Sequence, residues 1–228
     1  MREPITLAVM TQMTPPPPVC DRPMDDKRLT GILTFLQSAE QLKDTIRSGS
    51  TRKGRPESTA EHSWRLALMV LLLEKELTGI DFLKLLKLCL IHDLGEAISG
   101  DIPAPDQQPG DDRQQRERRD FQTLCTSLPE DLAGNLIDLW DEYAKAASVE
   151  ARFAKAFDKL ETIFQHLLMP PPGASFYEFN LTYGRDRTDY HPLTRQVRER
   201  ADDGTREMIR GLEGESSRSS TNLAVDEQ

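Results

Sequence analysis

The sequence predicts an all-α protein, one compact helical domain with flexible termini, on three observations. Apolar residues recur at helical spacing between about residues 28 and 211, strand-like alternation is absent almost everywhere, and cap and stop residues fall at helix-length intervals. With 228 residues, 37% of them hydrophobic and 6% aromatic, the chain can build one sizeable core but hardly two.

Taken in order, residues 1–27 carry the run Pro15 to Pro18 and no periodicity, and read as a disordered leader. Leu29, Leu33, Leu36 and Leu42 mark a first helix. The basic stretch IRSGSTRKGRPES, with two glycines and a proline, then interrupts the pattern. Ser58 or Thr59 caps a second helix with Glu61 in its first turn, running through Trp64, Leu68, Leu71 and Leu72 to a stop at Gly79. A third helix begins near Asp81 and carries Leu85, Leu88, Cys89, Ile91 and Leu94 towards Gly100. Residues 102–110, with three prolines, form a loop, and helices follow at 111–127, 129–146 and 148–169. Pro170 to Gly173 breaks the pattern before a last helix at 191–211, and the Ser-rich residues 212–228 read as a disordered tail. One domain therefore spans 28–211. Trp64 and Trp140 are expected in its core, and His166 and His191 in structural roles.

The net charge of −9, from 29 basic and 38 acidic residues, argues against nucleic acid as a partner, since such affinity comes from basic surface that neutralises phosphates. A few local arginines can still bind a small anion. Cys20, Cys89 and Cys125 are odd in number and lack CxxC spacing, which fits a reducing cytoplasm better than a disulfide scaffold. The longest apolar run, Leu66 to Leu73, falls well short of the roughly 20 residues that span a bilayer, so no membrane role is expected.

Chemistry concentrates at few positions. His92 and Asp93 are adjacent at the end of an apolar helix, with Glu96 four and three residues further on, so all three crowd one helix end. Burying such groups is costly unless they are paired or bind a metal. A lone His-Asp dipeptide would more often be an exposed helix end. His62, however, sits in the first turn of another apolar helix, and Asp158 lies in an amphipathic helix beside Phe157, Leu160 and Ile163. The order H…HD…D over successive helices is far sharper than any one of these residues.

Here the sequence resembles the HD-domain metal-dependent phosphohydrolases, in particular their 5′-deoxynucleotidase branch. The matching strings are RPESTAEHSWR, LIHDLGEAISGDIP, LWDEYAKAASVEARFAKAFDKLE and, more loosely, YHPLTRQVRE, together covering roughly residues 29–205. The resemblance implies an HD-type helical bundle with His62, His92, Asp93 and Asp158 as ligands of one divalent metal ion. Two imidazoles and two carboxylates suit Co, Mn, Zn or Mg, and ligand type does not choose among them. It also implies Glu96 and Asp101 as catalytic carboxylates, Glu96 activating water and Asp101 positioning it or protonating the leaving oxygen. Arg47 is the implied phosphate contact; Arg52 and Arg55 in the same basic stretch are further candidates, because the guanidinium fork matches phosphate oxygens. The resemblance would turn Glu142 to the site, although an exposed helix acid is the default reading of LWDEY. Members with two metals use extra histidines between the HD pair and the last Asp, and this chain has none from 94 to 157. Relatives often carry a Trp near the arginine, where this chain reads Ser48-Gly49-Ser50.

The expected activity is hydrolysis of a small-molecule phosphoester, a nucleoside 5′-monophosphate and specifically a deoxyribonucleotide, to nucleoside and phosphate in the cytoplasm, and the resemblance implies a homodimer. The alternatives are another phosphoester on the same site, such as a nucleoside triphosphate or an alarmone, and a non-catalytic nucleotide-binding protein.

Overall fold

Asp25 opens the first described helix by accepting the backbone N–H of Arg28 at 3.0 Å. The computed structural model describes residues 23–108 and 110–223. Most of the expected leader therefore lies outside the described residues, as do residues 224–228, and Asp26 and Lys27 already belong to helix α1, Asp26–Ala39. Its apolar stripe turns outward: Phe35 is buried, whereas Leu33 is 50% and Leu36 is 58% exposed. Leu42, in the 3-10 turn Glu40–Lys43, is buried.

The basic stretch is not a plain loop. It folds into an antiparallel hairpin of β1, Ile46–Ser50, and β2, Pro56–Ser58, with Ile46 opposite Ser58 and Ser50 opposite Pro56. Neither strand alternates apolar and polar residues, so pattern alone could not reveal it. Its turn closes through Gly54 at φ +82°, a conformation glycine adopts without strain, and Thr51 N–H bonds the Arg55 carbonyl at 2.7 Å.

Helix α2, Thr59–Leu72, starts with a full capping box between Ser58 and Glu61 and buries His62, Ser63, Leu66 and Val70 on one face. It ends at Leu72 and gives way to a 3-10 turn, Glu74–Glu76, earlier than the expected stop at Gly79. Trp64 lies on the opposite face, 63% exposed, which corrects its expected place in the core. Helix α3, Phe82–Ile91, is capped by Asp81 and buries Leu85, Leu88 and Cys89 completely. It does not continue towards Gly100. The chain turns at His92 and resumes as the short helix α4, Glu96–Ser99. Gly95 allows this break: a Cβ there would meet the Glu117 carbonyl oxygen at 2.5 Å, so only glycine lets the next helix approach.

Helices α5, Arg113–Cys125, α6, Glu130–Lys145, and α7, Val149–His166, follow close to the expected ranges. Helix α7 runs through the middle of the bundle, against α2, α3, α6 and β1, with Ala151, Ala154, Phe157, Leu160 and Ile163 at zero exposure. Two further short helices lie between the break at Pro170 to Gly173 and the last helix, where no element was expected: α8, Ala174–Asn180, and α9, Arg185–Thr188. Helix α10, Pro192–Leu223, runs past residue 211 and into the expected tail. A polar sequence removes the buried face but does not stop the hydrogen-bond ladder of a helix already nucleated by packing.

Two buried clusters result. Leu66, Leu85, Leu88, Phe157 and Leu160 form one; Phe35, Ile91, Phe121, Leu124 and Trp140 form the other. His92 follows Ile91 directly, so the HD pair sits on the seam between them. Among the described residues no helix is long and apolar enough to cross a membrane.

Candidate metal centre

The capping box fixes the start of α2 and places His62 one turn inside, fully buried. Its Nδ1 is bonded to Glu161, whose other oxygen pairs with Arg65 at 3.1 Å. The ring is thereby oriented with Nε2 inward, 3.2 Å from Asp158 Oδ1. His92, at the end of α3, bonds the Cys89 carbonyl through Nδ1 at 2.9 Å, which leaves Nε2 free to act as a ligand. The Trp140 indole N–H holds the His92 carbonyl at 3.1 Å.

Asp158 projects from the inner face of α7. The Tyr143 hydroxyl donates to its Oδ2 at 3.1 Å and Lys159 Nζ lies 3.0 Å from the same oxygen, so Oδ1 is turned to the histidines. Asp93 Oδ2 stands 2.9 Å from His92 Nε2 and 3.8 Å from His62 Nε2. Ligand atoms of His62, His92 and Asp158 all lie within 4.8 Å of one another. Both Nε2 atoms are buried and make no hydrogen bond. Orphaned buried nitrogens that face carboxylate oxygens are what a cation site requires, and the donor set fits a divalent ion.

The electrostatics agree. Burial and Arg47 disfavour a proton on His62, but Asp158 and Glu161 outweigh them and hold it up to about 9. Surroundings that favour a proton there favour a cation as well. Burial, reinforced by Asp93 and Asp101, pushes Glu96 up to about 10. Burial also raises Asp101, with Asp93 adding to the shift and Arg47 opposing it. The charges of Asp93, Asp101, Asp158 and Glu96 all act on the one guanidinium of Arg47, which lies 3.5 Å from Asp93 and donates to Thr162 at 3.1 Å. The hairpin that carries it is pinned to α7, where Gln165 donates to the Ser50 carbonyl at 2.6 Å.

A cavity of about 590 Å³ opens onto this centre, lined by Arg47, His92, Asp93, Glu96, Asp101 and Asp158. The fold therefore gathers the sequence candidates, with His62 behind the wall, except Arg52 and Arg55. Arg52 is exposed in the hairpin turn, and Arg55 is drawn outward by Glu61 at 3.1 Å. Glu142 does not face the site either. It bonds Ser148 and, at 3.1 Å, Lys84, while its neighbour Tyr143 takes the inward position. His166 is bonded to Asn180 at 2.9 Å, and His191 accepts the Leu193 N–H at 3.1 Å.

Sequence reading missed Lys155, Lys159, Thr162 and Tyr143. The helical spacing of residues 155, 159 and 162 around Asp158 puts them on one face of α7, so the sequence carries a signal for them. Lys155 Nζ sits 4.0 Å over the Tyr143 ring; burial, and then Lys159, lower it to about 8.

Helices that bring the buried His62, His92 and Asp158 within ligand distance of one another define a helical bundle with a site fit for a divalent metal. The chain belongs to the HD domain family, whose family model matches residues 39–198. It is 36% identical over 144 residues to 5′-deoxynucleotidase HDDC2 of Bos taurus, a match covering 62% of this chain and 69% of that protein. For 5′-deoxynucleotidase HDDC2 of Homo sapiens the identity is 36% over 136 residues, covering 59% of this chain and 66% of that protein. The fold is similar to that of a predicted metal-dependent phosphohydrolase from Magnetospirillum magnetotacticum MS-1, with a TM-score of 0.70 and 25% identity over 82% of this chain and 96% of that one.

Proposed function

We propose that the chain is a metal-dependent phosphohydrolase that cleaves nucleoside 5′-monophosphates to nucleoside and phosphate. The observation that carries this reading is the pair of orphaned Nε2 atoms of His62 and His92, set against Asp158 and Asp93 at the foot of a cavity that also holds Glu96, Asp101 and Arg47. The relatives named 5′-deoxynucleotidase support the choice of substrate.

His62, His92, Asp93 and Asp158 would hold one ion of Co, Mn, Zn or Mg. Such an ion supplies positive charge that polarises the attacking water, offsets the phosphoryl charge and lowers the proton affinity of Glu96. Arg47, with Lys155 and Lys159, provides the remaining counter-charge and orients the phosphoryl oxygens. Glu96 takes a proton from water as the new P–O bond forms. Asp101, kept prone to protonation by its burial, gives a proton to the sugar oxygen as the old P–O bond breaks.

The proposed homodimer draws support from a different feature. Trp64, Leu68, Leu71 and Leu72 form an exposed apolar stripe on α2, a surface suited to a second copy. The assignment to the cytoplasm rests on the cysteine pattern, and Cys89 and Cys125 are free buried thiols.

Phosphate release from a panel of ribo- and deoxyribonucleoside monophosphates, after chelation and add-back of each metal, tests the reading. Release restored by metal is the expected result. No release from any monophosphate with any of the four metals overturns it.

A further inference from the structure

The far side of the cavity is built quite differently from the acidic foot. Phe176, Phe179 and Tyr183 line it, half-buried, and all three come from α8 and the turn after it. Phe179 and Tyr183 lie 5.1 Å apart with rings inclined by only 30°, and Phe176 meets the His166 ring edge-on at 4.7 Å. Lys159 joins the two sides, its ammonium 3.0 Å from Asp158 Oδ2 and 5.2 Å from the centre of the Tyr183 ring. The aromatic wall and the metal centre thus share Lys159 as a common neighbour and line one cavity.

The wall is held from behind by a buried cation that the chemistry above does not use. Arg198, on α10, is 1% exposed. It donates to the Asn180 carbonyl at 2.7 Å and to the Tyr183 carbonyl at 2.6 Å, and its charge is met by Asp202 at 2.6 Å. Tyr177 and Asn180 anchor the opposite face of α8 at zero exposure, and the Tyr177 hydroxyl donates to the His166 carbonyl. Burying an arginine is costly unless its donors are used, and here they fix the carbonyls of Asn180, next to Phe179, and of Tyr183 itself. Rings left facing a polar cavity on so rigid a support are placed to stack against a flat ligand rather than to fill a core.

We propose that this wall is the nucleobase subsite, with Phe179 and Phe176 as specificity-determining residues that make the enzyme select a nucleoside phosphate over a bare sugar phosphate, and Arg198 as the residue that positions them. The proposal rests on the phosphohydrolase reading for the phosphate end only. The wall itself recognises an aromatic heterocycle whatever happens at the metal.

Two measurements on wild type, Phe179→Leu and Phe176→Leu test it. The first is the ratio of kcat/KM for deoxyadenosine 5′-monophosphate to that for deoxyribose 5-phosphate. The second is equilibrium dialysis of deoxyadenosine, which has no phosphate. Stacking of a base on an aromatic side chain predicts a fall of about tenfold or more in the ratio for Phe179→Leu, with nucleoside binding weakened in parallel. An unchanged ratio and unchanged nucleoside binding in both variants overturn the proposal. A wild type that binds deoxyadenosine through Phe179 but releases no phosphate from any monophosphate supports the wall and overturns the phosphohydrolase reading.

Discussion

Glu161 binds His62 through Nδ1 and so decides where Nε2 points, 3.2 Å from Asp158 Oδ1. The same carboxylate is tied to Arg65 at 3.1 Å, which stops it from swinging away. Outer partners of this kind set both the orientation and the basicity of a ligating imidazole. Glu161→Gln should therefore weaken Mn binding by about 10- to 100-fold in calorimetric titration while leaving the fold intact. An unchanged affinity would mean that His62 is held by its packing alone.

Glu96 and Asp101 are set apart from the ligands by their position beyond the α3 break, on α4 and just after it. In Glu96→Gln and Asp101→Asn, kcat on a nucleoside monophosphate should fall by about 10²- to 10⁴-fold with stoichiometric metal still bound. Loss of metal in step with activity would make them ligands instead.

Glu150 gives a pH dependence away from the site. Burial pushes its carboxyl up, but Lys84 at 2.8 Å and the Asp81 N–H at 2.9 Å outweigh burial and bring it from 4.5 down to about 2. A value lowered in the folded state contributes stability that is complete above the unfolded value of 4.5 and disappears as the pH falls towards 2. Urea unfolding at neutral pH should show Glu150→Gln destabilised by about 1–3 kcal/mol, with the gap from wild type closing below about pH 4. A gap that does not change with pH would show that the ion pair contributes nothing.

Trp64 stands at the head of the exposed α2 stripe. Trp64→Arg should shift a dimer to monomer in light scattering at micromolar concentration, since a charge in an apolar contact opposes association. A wild type that is already monomeric would leave the stripe without that role.

Helices α5, α6 and α7 were legible in the sequence within a few residues of their ends. The existence of α2 was also legible, but the apolar residues that marked it, Trp64, Leu68, Leu71 and Leu72, lie on its exposed face, and Leu66 and Val70 are the ones it buries. The metal cluster was legible too, though by resemblance more than by physics, because no spacing rule brings residues 62, 92 and 158 together. What escaped had no periodic signal. The hairpin is polar on both faces, and α8 is only seven residues long behind three prolines, too short to show a period. The α3 break depends on the approach of Glu117 to Gly95, a contact 22 residues away that no local pattern encodes. Trp64 was misplaced for a simpler reason: each residue turns a helix by about 100°, and the inward position was that of Leu66, two residues further on.

The seam that carries the HD pair has a mechanical consequence. His62 and Asp158 are rooted in the cluster around Leu66 and Phe157, while His92 borders the one around Ile91 and Trp140. An ion shared among them is a rivet through both halves of the bundle. By linkage it should add about 2.7 kcal/mol at a hundredfold excess over its Kd, so the melting temperature should climb with free metal. With the rivet drawn by a chelator, amide exchange should quicken first along α4 and α5 and last in α7, so that the order in which the halves loosen maps the joint itself.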